Sequence, residues 1–166
     1  MIKNKSGFTL VELLAVVLII AILTSVALPQ YRRSVQRAEA MEALTNLKTI
    51  FESAKRYRSA NSEAPRKLTG LDVSFFDADT PNASTFNIGS YHYSFNSDSI
   101  SACRLSGTGS YTNTYCLYMY YVLTLGTNKY KDLMTCVPLS SKYNWLCEAF
   151  ETSELPDGTT VIGTEI

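Results

Sequence analysis

An α+β fold is predicted by three features: a 21-residue apolar run from Phe8 to Leu28, an amphipathic segment directly after it, and a C-terminal half rich in aromatic and β-branched residues at strand length. One long N-terminal helix laid on a small antiparallel sheet buries the apolar faces of both. The chain of 166 residues suffices for one domain with an appendage. Fifteen Lys and Arg balance fifteen Asp and Glu, so no global field holds a polyanion. A single histidine, His92, disfavours His-based metal sites and catalytic triads. The composition points away from an enzyme.

The run FTLVELLAVVLIIAILTSVAL holds one ionisable residue, Glu12. As a helix it extends about 32 Å, the thickness of a bilayer's hydrocarbon core. Its Phe, Leu, Ile and Val residues contribute about −4 to −8 kcal/mol to insertion, and Glu12 costs on the order of +3 at most. Residues 8–28 are therefore expected to span a membrane. Lys3 and Lys5 lie on one side and Arg32, Arg33 and Arg37 on the other, so basic flanks do not set the orientation.

From Pro29 to Ala60 the apolar residues Val35, Ala38, Ala40, Ala43, Leu44, Leu47, Ile50, Phe51, Ala54 and Tyr57 recur mostly at three or four. Residues 29–60 are read as the amphipathic half of the same helix. Pro29 lacks an N–H and is expected to kink or loosen the rod without ending it. Residues 61–89, rich in Ser, Thr, Asn, Asp and Pro, are read as a loop carrying at most a short strand or helical turn. Residues 90–166 hold the sheet. Tyr91, Tyr93 and Phe95 alternate with His92, Ser94 and Asn96. Tyr115–Leu125 forms a strand, Gly126-Thr127-Asn128 turns, and Lys129–Val137 returns beside it. Three or four strands are expected.

Cys103, Cys116, Cys136 and Cys147 are spaced C-x12-C-x19-C-x10-C, without the close pairs that structural zinc prefers. Disulfides are expected, which places the polar part in an oxidising compartment and the N-terminal stub in the cytoplasm. Four cysteines allow three connectivities. Pairing in sequence order, Cys103 with Cys116 and Cys136 with Cys147, closes two short loops worth about 3 kcal/mol each by chain entropy.

Gly7-Phe8-Thr9-Leu10-Val11-Glu12 closely resembles the prepilin motif of type IV pilins and type II secretion pseudopilins, and the likeness extends over about the first 50 residues. It implies a type IV pilin fold and a leader, residues 1–7, removed by a prepilin peptidase between Gly7 and Phe8, with methylation of the new Phe8 amine. Glu12 becomes the fifth mature residue. Pro29 occupies the family's helix-loosening position, and Tyr31 follows it. A neighbouring subunit shifted along the axis would place its Phe8 amine beside Glu12, which otherwise stands as an unpaired charge in hydrocarbon. The pair would set assembly register, while helix packing supplies most of the cohesion. Glu12 near a helix N-terminus, tolerated by the dipole, is the plainer reading.

The resemblance further implies a homopolymer of subunits, a pilus assembly machinery as partner, residence in the inner membrane before assembly with the C-terminal domain periplasmic, and an extracellular filament afterwards. It implies no catalysis and no cofactor. In pilins a disulfide commonly bounds a variable C-terminal surface, and Cys136 to Cys147, enclosing Tyr143 and Trp145, looks like that pair; a plain structural staple is the equal alternative. Certain pseudopilins bind calcium, but Asp72, Asp77 and Asp79 lack EF-hand spacing. No metal is expected. Without Lys3 and Lys5, acidic side chains outnumber basic ones, so DNA binding finds no support. The alternatives are a pseudopilin of type II secretion or a secreted binding domain released by signal peptidase after Ser25-Val26-Ala27.

Overall fold

The computed structural model describes residues 8–75, 78–107, 109–110, 114–125, 128–150, 152–154 and 160–162. The chain divides into two units, residues 1–40 and 41–166. A single helix, α1 (Leu10–Asn61), runs continuously through Pro29 and contributes to both. It begins where Thr9 caps it. It ends where Ser62 takes a left-handed φ of 60° and donates its N–H to the Arg58 carbonyl at 2.8 Å, which satisfies one of the carbonyls a helix end leaves open.

In the first unit, α1 exposes its large apolar side chains from Phe8 to Leu28. Hydroxyls on both sides of Pro29 bond back to the helix carbonyls: Thr24 to Ile20 at 2.8 Å, Ser25 to Ile22 at 2.7 Å and Ser34 to Gln30 at 3.1 Å. Such back-bonding satisfies polar side chains without water and weakly favours bending. The helix is also long and apolar enough here to cross a membrane.

In the second unit, Ala43, Leu47, Ile50, Phe51 and Ala54 form a fully buried stripe at the helical period. The sheet follows as β1 (Thr85–Ile88), β2 (Tyr91–Phe95), β3 (Ser99–Arg104), β4 (Tyr115–Leu125) and β5 (Asn128–Pro138), an antiparallel meander. A short helix, α2 (Asn144–Glu148), comes next, and β6 (Thr152–Glu154) and β7 (Thr160–Ile162) extend the edge in the order β1-β2-β3-β4-β5-β7-β6. Among the described residues seven strands thus replace the three or four expected. β1 emerges from the stretch read as a loop, and β3 (SISACR) consists mainly of small residues without a recognisable alternation. The β1–β2 hairpin turns through Gly89 and Ser90, where Gly89 adopts φ 56°, a conformation that glycine takes without a Cβ penalty. Gly126 and Thr127, the expected β4–β5 turn, lie outside the described residues.

Period-two alternation gives the sheet one buried aromatic face. Tyr91 and Tyr93 of β2, Ile100 and Ala102 of β3, and Tyr115, Leu117, Met119 and Tyr121 of β4 are buried. Phe51 of α1 stacks on Tyr121 with centroids 4.8 Å apart, the Tyr93 hydroxyl donates to the Ala43 carbonyl at 3.4 Å, and the Tyr91 and Tyr115 hydroxyls bond each other. Five tyrosines, Tyr91, Tyr93, Tyr115, Tyr121 and Tyr143, are core residues, and Tyr91, Tyr93 and Tyr115 pair their polar tips across the core. Tyr121 is the exception among the described residues: its buried hydroxyl has no hydrogen-bond partner, and burial pushes it up to about 12. Phe51→Ala should destabilise this unit by about 3–5 kcal/mol, because both the ring's transfer energy and a cavity are at stake. Urea unfolding of the full chain in detergent, followed by near-ultraviolet circular dichroism, measures the loss.

Candidate functional site

The amino-terminal half of α1 is the principal candidate. Phe8 is 83% exposed and lies just outside the helix, and Gly7 falls outside the described residues. Thr9 is the N-cap. Its backbone N–H and its hydroxyl each donate to Glu12 Oε2 at 2.8 Å, and the Glu12 N–H approaches Thr9 Oγ1 at 3.3 Å. This is a reciprocal capping box of the T-x-x-E kind, which satisfies otherwise open donors of the first turn. These bonds engage the Glu12 carboxylate locally without adding a counter-charge, and the expected pairing with a neighbour's Phe8 amine concerns a second subunit. The capping signal is a threonine three positions before a glutamate at the head of an apolar run.

Glu12 and Phe8 belong to the first unit and all four cysteines to the second. Cys103 of β3 bonds Cys116 of β4, its directly opposed register partner, and Cys136 of β5 bonds Cys147 of α2. Ladder alternation puts Cys103 and Cys116 on the sheet face away from Tyr93, beside the Ser94–Ser101 hydroxyl pair and the stacked rings of Tyr118 and Tyr120. Between Cys136 and Cys147, Tyr143 is buried and packs its ring 5.3 Å from Tyr115. It is therefore a core contact. Trp145 is half-buried, while Leu139, Lys142 and Asn144 are exposed.

The acidic residues considered for calcium have other roles. Asp79 Oδ1 accepts the Asn87 backbone N–H at 2.7 Å and its Oδ2 accepts the Asn87 amide at 2.8 Å, tying the loop to β1. Asp72 receives a bidentate grip from Arg56, at 2.8 and 2.9 Å, and a bond from the Ser53 hydroxyl. Asp77 lies outside the described residues, and no group of three His, Cys, Asp or Glu among those described converges as a metal site. His92 pairs its Nδ1 with Asn87 Oδ1 at 2.8 Å across the β1–β2 ladder.

The pattern of the prokaryotic N-terminal methylation motif matches residues 2–28. A fimbrial protein of Moraxella nonliquefaciens is 32% identical over 108 residues, 58% of this chain and 70% of that protein. The chain belongs to the type IV pilin family. A fimbrial protein of Pseudomonas aeruginosa is 39% identical over 80 residues, 46% of this chain and 52% of that protein. The type II secretion system core protein G of Aeromonas hydrophila is 29% identical over 71 residues, 43% of this chain and 50% of that protein. The chain thus spans about half the length of these last two relatives. The part of the motif from Leu10 to Leu28 lies on the exposed helix, and the disulfides lie in the second unit.

The Asp72 pair makes a pH prediction. The Arg56 guanidinium and the Ser53 hydroxyl hold the Asp72 carboxyl at about 2, below the ordinary range. A depressed folded-state value stabilises the folded state above the unfolded value and loses that effect as pH falls. The stability difference between the unchanged chain and Asp72→Asn should be present at neutral pH, shrink from about pH 4 and vanish below about pH 2. Urea titrations of both proteins across that interval measure it.

Proposed function

We propose that this chain is a structural subunit of a type IV pilus. The observation that carries the reading is the junction of a processing motif to an apolar helix segment whose large side chains from Phe8 to Leu28 are exposed among the described residues, in the same helix that enters the folded head. A prepilin peptidase cuts between Gly7 and Phe8, the Phe8 amine is methylated, and residues 8–28 hold the subunit in the inner membrane until an assembly machinery draws it into an extracellular filament. The disulfide-bonded head occupies the periplasmic side before assembly, consistent with an oxidising compartment. The subunit's work is packing, with no reaction to catalyse.

Within the filament, apolar helices exchange lipid for one another. Pro29 loosens the rod, helped by the back-bonded Thr24, Ser25 and Ser34. Glu12 meets the Phe8 amine of a neighbour and fixes register. Its two bonds from Thr9 fall on Oε2, so Oε1 is available to the incoming ammonium. A pseudopilin shares this N-terminal chemistry, and the secretion relative is its support.

Deletion of the gene, imaging of surface fibres and complementation test the reading. Fibres should vanish in the deletion and return with the unchanged gene, and the recovered subunit should begin at methylated Phe8. Glu12→Ala should reduce fibre number about tenfold, the factor that ~1.4 kcal/mol per contact gives, while Thr9→Ala should have a much smaller effect. Equal losses from both substitutions would make helix capping the whole role of Glu12. Fibres unaffected by the deletion would refute the pilus reading for this chain, and a mature start at Leu28 would replace it with a secreted module.

A further inference from the structure

We propose that a half-open cleft of about 510 Å³ at the C-terminal end of α1 binds a neutral saccharide of one or two rings. The cleft lies wholly within the second unit. It forms where residues 58–66 meet Ser84 and the β2–β3 turn, and its volume falls in the range of small-molecule sites.

The lining chemistry selects the ligand class. Arg58 and Arg66 are matched by Glu63 and Asp98, so the cleft has no excess charge of either sign with which to hold a phosphate, a carboxylate or a metal ion. It does present guanidinium donors, carboxylate acceptors and the Asn96 amide, which offers both. Phe95 adds one half-buried aromatic ring. Sugar hydroxyls donate and accept around the ring edge, and the C–H face of a pyranose suits an aromatic surface. A neutral ring uses every one of these groups. A purely apolar ligand would leave the charged side chains without compensation.

The walls are also held in place before any ligand arrives. The Arg58 guanidinium sits 5.0 Å from the centre of the Tyr121 ring, which orients its donors. The Asp98 carbonyl accepts the Tyr121 N–H at 2.9 Å, and the Asn96 N–H donates to the Ser99 carbonyl at 2.9 Å, so the turn bearing both side chains is tied to the sheet. Phe95 is braced by Phe86, with centroids 5.8 Å apart. Ser62, also in the wall, keeps the left-handed backbone that glycine ordinarily supplies. Preorganisation of this kind lowers the ordering cost of binding.

The test uses the full chain purified in lauryldimethylamine oxide, a detergent without a sugar headgroup. Saturation-transfer NMR with galactose, N-acetylglucosamine and lactose reports neutral ligands, and sialic acid and inorganic phosphate serve as anionic probes. Saturable millimolar binding of at least one neutral probe is expected. Arg66→Ala and Asp98→Asn should each weaken it about tenfold without moving the urea midpoint, and Asn96→Ala supplies a lesion outside the charged groups should either variant fail to fold. Binding of the anionic probes alone, no saturable binding of any neutral probe, or neutral binding indifferent to these substitutions would overturn the proposal.

Discussion

The constraint on which everything else depends is the apolar surface of the first half of α1, which is exposed among the described residues. Fourteen Phe, Leu, Ile and Val side chains between Phe8 and Leu28 are exposed, each by roughly half or more. With about 1.5–3 kcal/mol at stake for a fully transferred side chain, the water-facing surface costs on the order of 10–20 kcal/mol. That equals or exceeds the entire net stability of an ordinary domain. A lipid bilayer or a bundle of like helices removes the cost; a solvated monomer does not. Membrane residence and filament assembly are two answers to the same deficit, and a subunit can pass from one to the other because both surroundings are apolar.

Glu12 has to be understood inside that surface. The capping box keeps its carboxylate engaged at the head of the helix, and the helix dipole favours a negative group in that turn. The monomer is therefore not forced to find an intermolecular partner in order to tolerate Glu12. On the proposed reading an incoming amine would add to an existing network, with the apolar surface driving association and the charge discriminating among axial offsets. Non-directional burial cannot supply register by itself, since a smooth apolar rod slides at little cost. A single fixed polar group can.

Much of the fold was legible from residue pattern. Leu47, Ile50, Phe51 and Ala54 marked the buried helix stripe, and Tyr91, Tyr93 and Phe95 marked β2 by strict alternation. β3 was illegible because Ser99, Ser101 and Ala102 carry little strand preference, and its place comes from pairing between β2 and β4. β1 carries strand-favouring Thr85, Phe86 and Ile88, but four residues inside a polar stretch are too few to show a period, so only the allowance for a short strand in that loop foreshadowed it. At the candidate site, Phe8 and Glu12 stood out through the motif, whereas Thr9 was overlooked although its spacing to Glu12 follows a known local rule. The saccharide cleft was invisible for another reason: its lining gathers residues from around positions 58–66, 84 and 95–98, which only tertiary structure brings together.

The head meets a different requirement, since it must stay folded while its helix changes surroundings. Phe51 and Ala54 bury the stripe, while Ser53, Lys55 and Arg56 on neighbouring positions reach outward to other elements. Ser53 and Arg56 hold Asp72 and thereby the loop after the helix, and Lys55 reaches Asp132 of β5 at 2.7 Å. Asp132 keeps a φ of 54° in mid-strand, and the Tyr121 N–H turns to the Asp98 carbonyl on the other side of β4. A non-glycine residue in that region is costly and persists only where its surroundings over-determine it. Lys55 anchors the Asp132 carboxylate at this position, while the disulfides cross-link β3 to β4 and β5 to α2. The second half of α1 is thus bound through two parts of the head: the sheet, β5 included, and the loop. Loss of one partly exposed ion pair is tolerable because such pairs are individually weak, whereas loss of the aromatic stack on Phe51 removes the surface against which all of them are aligned.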